Sequence, residues 1–157
     1  MQQRVSLNTL GVKSLARARQ FYDALGWQVS NEDQAEEIVA YDLPHMTLCL
    51  YPLENLAADT GLALADTQTQ TQTQTHTQTQ CPRFALAYNV ETVDQVAALL
   101  EQAVACGGRL IKPAEAAFWG GTSGYFTDPD GTLWEVAHNP HAPLSATGSF
   151  QWNGAKN

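Results

Sequence analysis

In the stretch "YFTDPDGTLWEVA", residues 125 to 137, a tight turn gives way to strand-like alternation, and that strand carries the carboxylate of Glu135. A carboxylate in an apolar strand can ligate a metal ion, move a proton, or satisfy hydrogen bonds of the fold. Left unpaired in an apolar groove, it is costly to ionise, so its pKa rises toward the range of a general base. An ionised form would instead suit a cationic ligand. Glu135 is therefore the candidate catalytic residue.

Strand parity sets what surrounds it. Alternation puts Leu7 and Thr9 on one face of an early strand, Cys49 and Tyr51 on one face of another, and Phe84, Leu86 and Tyr88 on one face of a third. In the hairpin, Thr127 opposite Thr132 would pair Phe126 with Leu133 and Gly124 with Glu135, leaving Tyr125, Trp134 and Val136 on the other face. "AAFWGG" places Phe118 and Trp119 near one mouth. The expected ligand-binding set is thus Leu7, Thr9, Cys49, Tyr51, Phe84, Tyr88, Trp119, Phe126 and Glu135. Apolar and aromatic walls with a few polar groups are the usual character of a small-molecule site. His138 and His141, in "AHNPHAP", are read as surface residues, as is His76.

The turn needs no chemistry to explain it. Asp128 accepts a backbone hydrogen bond, Pro129 presets φ at the second turn position, and Gly131 supplies the φ that closes a hairpin.

The elements that must position these residues form two similar runs. "RVSLNTLGV" alternates like a half-buried strand, and "SLARARQFYDALG" carries Leu15, Ala18, Tyr22 and Leu25 at helical spacing, with Ser14 as N-cap and Gly26 as the stop. "EEIVAYDL" and "MTLCLYP" follow as strands joined by a Pro-His turn. Later, "RFALAYNV" is a strand, and "ETVDQVAALLEQAVACGG" is a helix opened by a Thr92–Gln95 capping box and closed at Gly107. "RLIKP", "GYFT" and "TLWEVA" are again strands. The order is βαβββ, twice. Between the runs lies "TQTQTQTQTHTQTQ", residues 67 to 80, whose period of two offers no apolar face, so it reads as a surface linker. The expected organisation is a first module at 1–66, the linker at 67–80, a second module at 81–140 and a tail at 141–157.

Composition bounds the rest. A chain of 157 residues with 44% hydrophobic and 15% charged residues can build a full core. Its formal net charge of −8 opposes phosphate backbones and anionic membranes, so nucleic acid is not an expected partner. No apolar run nears the ~20 residues of a membrane span, and the N-terminal residues lack a basic segment followed by an apolar one, so no membrane contact and a cytoplasmic location are expected. Cys49, Cys81 and Cys106 are an odd number without C-x-x-C spacing, which reads as free thiols.

"ARQFYDALGW" in the first helix and "GGTSGYFTDPDGTLWEVAHNP" at the end of the second run are similar to the vicinal oxygen chelate superfamily, which contains glyoxalase I, bleomycin-resistance proteins and extradiol dioxygenases. The resemblance covers roughly residues 4 to 140 and implies an α+β fold: two βαβββ modules forming a curved mixed sheet around a groove. It also implies that metal enzymes of the superfamily hold a divalent ion through four strand positions. Aligned here, these are Leu7, Cys49, Phe84 and Glu135. Leucine and phenylalanine cannot donate to an ion, so neither a metal nor another cofactor is expected. The resemblance further implies a homodimer.

Three functions follow. One is a metal-independent protein that binds and sequesters a small organic molecule in the inter-module groove. Another is a lyase, isomerase or dioxygenase of the same superfamily, using Glu135 as base or metal ligand. The last is a scaffold with a collapsed groove.

Overall fold

The computed structural model describes residues 5–44, 46–64, 84–150 and 152. The Thr-Gln run, Cys81 and His45 lie outside the described residues. Among the described residues no helix is long and apolar enough to cross a membrane.

The β-structure is divided into two mixed sheets. In the first, β1 (Leu7–Val12) runs parallel to the central β3 (Met46–Pro52), which pairs antiparallel with β2 (Val39–Leu43). In the second, β4 (Leu86–Asn89) runs parallel to β7 (Leu133–His138), followed by β6 (Thr122–Thr127) and β5 (Arg109–Ala116) as antiparallel neighbours. The second run therefore builds the expected βαβββ unit. Among the described residues the first contributes three strands rather than four.

Helix α1 (Leu15–Ala24) starts at Ser14, whose hydroxyl accepts from Arg17 N at 3.4 Å, and stops before Gly26 at φ 93. Helix α3 (Val93–Ala105) opens with the Thr92–Gln95 capping box and ends before Gly107 at φ 104. A further helix, α2 (Leu53–Thr60), follows β3 directly and was not expected from the sequence. It lies over the outward face of the first sheet, where a Cβ on Gly11 would come within 2.7 Å of Leu53 and 3.1 Å of Leu56.

Each sheet has one face turned toward helices. Leu10, Val12, Leu48, Leu50, Val39 and Tyr41 are buried beside α1, and Val136 and Phe126 are buried in the same core with Val96 and Leu100 of α3. Helix α1 touches both sheets. Its Tyr22 ring lies 5.7 Å from Tyr41 in the first and 6.2 Å from Trp134 in the second, while Phe21 lies 6.3 Å from Phe126. One aromatic core thus spans both modules.

The "DPDG" turn joins the modules. Asp128 is buried; its Oδ1 accepts from the backbone N–H groups of Asp130 (3.0 Å) and Thr132 (2.8 Å), and its Oδ2 accepts from the Tyr22 hydroxyl of α1 at 2.9 Å. Asp130 Oδ1 accepts from Lys13 N at 3.0 Å and from the Arg17 guanidinium at 3.1 Å, which also donates to Pro129 O at 3.0 Å. A turn read as local therefore holds the start of α1 onto the other module.

Candidate functional site

The hairpin register decides which side chains can meet. Asp128 N donates to Thr132 O at 3.1 Å, so Thr127 faces Leu133, Phe126 faces Trp134 and Tyr125 faces Glu135. This is one residue away from the expected register. Because side chains alternate across a strand, that step moves Phe126 to the face opposite Glu135 and brings Trp134 inward beside it. The cause is the Asp128 side chain, which takes two turn N–H groups and leaves Pro129, Asp130 and Gly131 as a three-residue loop.

The expected site residues consequently fall in different places. Leu7, Thr9, Cys49 and Tyr51 share the outward face of the first sheet, as parity required. Cys49 is buried and its thiol pKa is raised, by burial foremost and then by Asp42. The Tyr51 hydroxyl donates to Asp59 of α2 at 3.0 Å. Glu135 is on the outward face of the second sheet, half-buried, accepting from the Tyr125 hydroxyl at 2.9 Å. Phe84 and Tyr88 do not join Glu135: Ala87 is its register partner, while Leu86 faces Trp134 and Tyr88 faces Val136 on the inward side. Trp119 belongs to the β5–β6 hairpin, where its ring packs over Gly121; Phe118 beside it is fully exposed. His141 is exposed, whereas His138 is half-buried with Nδ1 enclosed and unpartnered, because it sits inside the strand rather than past its end.

What the fold does build is a cleft of about 980 Å³ between the modules, on the inward side of both sheets. Trp27, Tyr41 and Trp134 line it from the aromatic core; Asn8, Met46 and Leu48 come from the first sheet. Leu86 and Tyr88 of β4 and Leu99 of α3 come from the second module. Gln28, Asn89, Gln95 and Gln102 supply amides and Glu91 a carboxylate, whereas Asp42, also beside the cleft, turns its carboxylate to the outward face, where it accepts from the Thr47 hydroxyl at 2.9 Å. The segment after β7 contributes Leu144, Thr147 and Phe150, held in a compact loop in which Ser149 N donates to Ser145 Oγ at 3.0 Å. A side pocket of about 60 Å³ continues inward between Tyr22, Phe126 and Trp134.

Trp134 is 6% exposed and stacks on Phe126 with ring centroids 6.1 Å apart. Its Nε1 makes no hydrogen bond of ordinary length and angle, although its proximity works against the rise in the Tyr22 pKa. That rise has larger causes: burial of the phenol first, then the Asp128 carboxylate. Tyr22 is a neutral donor at every physiological pH and serves the fold rather than proton transfer.

Of Leu7, Cys49, Phe84 and Glu135, two carry no side-chain donor atom, and a thiol and a carboxylate alone are two ligands of unlike softness. Among the described residues no group of three or more His, Cys, Asp or Glu is placed to hold one. These residues do not fit the superfamily's divalent centre.

Of the expected set, the cleft takes Tyr88, and the side pocket takes Tyr88 with Phe126. Trp27, Tyr41, Trp134, Gln95, Gln102 and Phe150 were missed. Trp27 and Trp134 stood inside the two motifs that carried the resemblance, and that was the available signal. Phe150 had none, because its role depends on where the tail lies.

Comparison with known proteins bears on this architecture. The family model described as Glyoxalase/Bleomycin resistance protein/Dioxygenase superfamily matches residues 4–136. Among solved structures, a glyoxalase-related enzyme from Fulvimarina pelagi is 35% identical with a TM-score of 0.81, the match covering 98% of this chain and 100% of that one. A glyoxalase/bleomycin resistance protein/dioxygenase family enzyme from Burkholderia phytofirmans PsJN is 17% identical (TM-score 0.68; 85% and 96% covered), and a lactoylglutathione lyase from Agrobacterium tumefaciens is 16% identical (TM-score 0.58; 88% and 95% covered). These two show the fold alone. No curated protein sequence matches the chain significantly. With a family model spanning most of its length and a 35% identical relative matched end to end, this chain belongs to the glyoxalase/bleomycin resistance protein/dioxygenase superfamily.

Proposed function

We propose that this protein binds a small organic molecule in the inter-module cleft and does so without a metal ion. The observation that carries the reading is the cleft itself: about 980 Å³, walled by indole, phenol and aliphatic side chains, with amides as its commonest polar groups. Sites for drug-sized molecules run to roughly 300–1,000 Å³ and have this character. Glu135 lies elsewhere, with its carboxylate already accepting the Tyr125 hydroxyl, which supports a role in the sheet over that of a general base.

The test is a screen of small aromatic molecules against EDTA-treated protein, read by melting temperature and by tryptophan fluorescence. A ligand that binds only the native state raises stability by about 2.7 kcal/mol at a hundred times its Kd. Several hits that perturb the fluorescence and need no added metal are expected. Binding only after a divalent ion is restored, or no hit at all, would overturn the reading.

We also infer that the working form is a homodimer. Strands β1, β2, β4 and β5 are sheet edges, and Leu7, Phe84 and Leu110 are exposed on or beside three of them, surface that pairing of two copies would cover. Sedimentation at high concentration should give twice the chain mass; a strict monomer would refute this.

A further inference from the structure

We propose that the cleft selects aromatic molecules carrying a positive charge over those of the same shape carrying a negative one; this rests on the small-molecule role above. Three features of the lining carry it. First, Trp27, Tyr41, Tyr88, Trp134 and Phe150 are among its lining residues, and the π-system of an aromatic ring is negative over its face, so aromatic walls favour cations over anions. Second, no Lys, Arg or His is among the described lining residues. Arg19, which acts electrostatically on Tyr41, is occupied by Asp23 at 3.1 Å and Glu32 at 2.8 Å. Third, the one formally charged side chain among the described lining residues that is not turned to the outward face is Glu91, which is exposed.

The amides do not alter this balance. Gln95 is held by the capping box, its Oε1 accepting from Glu91 N at 2.9 Å and Thr92 N at 3.0 Å, while Gln28 and Asn89 each carry a donor and an acceptor and can serve either sign of charge. An anion entering the cleft would give up hydration and meet no opposite charge, a cost that burial makes steep. A cation would lose hydration too, but would meet aromatic walls and the Glu91 carboxylate. Asp42, in register with Thr47 and accepting its hydroxyl at 2.9 Å, turns its carboxylate to the outward face and takes no part. The chain's formal charge of −8 adds a long-range bias of the same sign.

The experiment uses the full-length, EDTA-treated protein and one ring system in three charge states: an aminoacridinium, acridine, and an acridine carboxylate. Binding is measured by calorimetry at mildly alkaline pH, where acridine is neutral. The expected order is cation, then neutral, then anion, with the cation roughly tenfold or more tighter than the anion. Equal affinities, or an anion bound as tightly as the cation, would overturn the charge selection while leaving the cleft as a binding site. Failure of all three to bind would overturn the selection and the small-molecule reading together.

Variants place the effect. Tyr88→Ala and Phe150→Ala, at side chains partly exposed already, should each weaken the cation by about fivefold through loss of a ring face. If neither does, the molecule is bound elsewhere and the proposal fails. The variant Glu91→Gln should narrow the cation-to-anion ratio by about threefold, as expected of an exposed carboxylate. Glu115→Gln, which removes a negative charge on strand β5 outside the cleft, should change the ratio by less than about twofold. A control effect as large as that of Glu91→Gln would mean that net charge, not the lining, discriminates.

Discussion

The two modules follow the same strand-helix-strand order and then diverge at one place. After α3 the chain passes Gly107 and Gly108 and enters β5, an eight-residue edge strand. A Cβ on Gly108 would sit 2.9 Å from two carbonyl oxygens and 3.2 Å from Phe21, so that turn admits glycine alone. After α1 the chain passes Gly26 and Trp27, and no strand forms. Ser30 N donates to Ala40 O at 2.8 Å, but the other ladder positions are taken by side chains: Asn31 Oδ1 accepts from Ala40 N, Asn31 Nδ2 donates to Ile38 O, and Ser30 Oγ accepts from Asp42 N. A single backbone bond thus ties this segment to β2, and Trp27 turns inward to lie 5.3 Å from Tyr22, 5.5 Å from Tyr41 and 5.9 Å from Trp134. The missing strand and the aromatic lining of the cleft are one feature.

The contrast can be broken most severely at Tyr22, where the modules meet. Tyr22 is fully buried, and Tyr22→Ala should cost roughly 3–5 kcal/mol in chemical denaturation, as expected for a large aromatic in a packed core. Tyr22→Phe isolates the Asp128 hydrogen bond and should cost about 1–3 kcal/mol, because a buried carboxylate oxygen loses its donor. A loss below about 1 kcal/mol for the alanine variant would mean that the modules hold together by other means.

Alkaline pH probes the same junction without mutation. The folded state raises the pKa of Tyr22, chiefly by burial, and of Tyr41, chiefly by burial and then by its bond to Asp23. A raised folded pKa means that this stability is fully present below the ordinary value of 10 and is lost as pH climbs toward the folded value. Stability should therefore fall above pH 10 by about 1.4 kcal/mol per unit for Tyr22 alone. A flat profile from pH 10 to 11 would place Tyr22 in a wetter setting than the structure does.

Smaller still is the edge substitution. Asn31→Ala removes two side-chain bonds to the backbone and should cost about 1–2 kcal/mol. If it has no effect, the irregular edge is held by Ser30 alone. The smallest effect belongs to Glu135→Gln. Glutamine keeps an acceptor for the Tyr125 hydroxyl, so melting should change by less than about 0.5 kcal/mol. A larger loss, accompanied by a fall in bound metal, would return Glu135 to the role of ligand.

Much of the fold could be read from local chemistry. Strand β3 coincides with "MTLCLYP", and both long helices begin and end at the caps and glycines that mark them. Helix α2 escaped because its N-cap is Pro52, which makes no side-chain capping bond, and the strand appeared to end there. Its anchors, Leu53 and Leu56, are explained only by the open space at Gly11 across the sheet. The site was less legible for one reason: faces are set by register, and the extra loop residue came from how Asp128 uses its carboxylate. That one-residue step separated Phe126 from Glu135 and put it on the face of Trp134, the face that lines the cleft, while Tyr125 took its place beside Glu135.

The most direct test of the central claim is a crystal structure of the protein soaked with the aminoacridinium probe after removal of metals. The account predicts planar density in the inter-module cleft, between Trp134 and Phe150 and within reach of Tyr88. Density on the outward sheet face beside Glu135 and Tyr125 would contradict it, as would a cleft closed by the protein's own side chains with no room for a ligand.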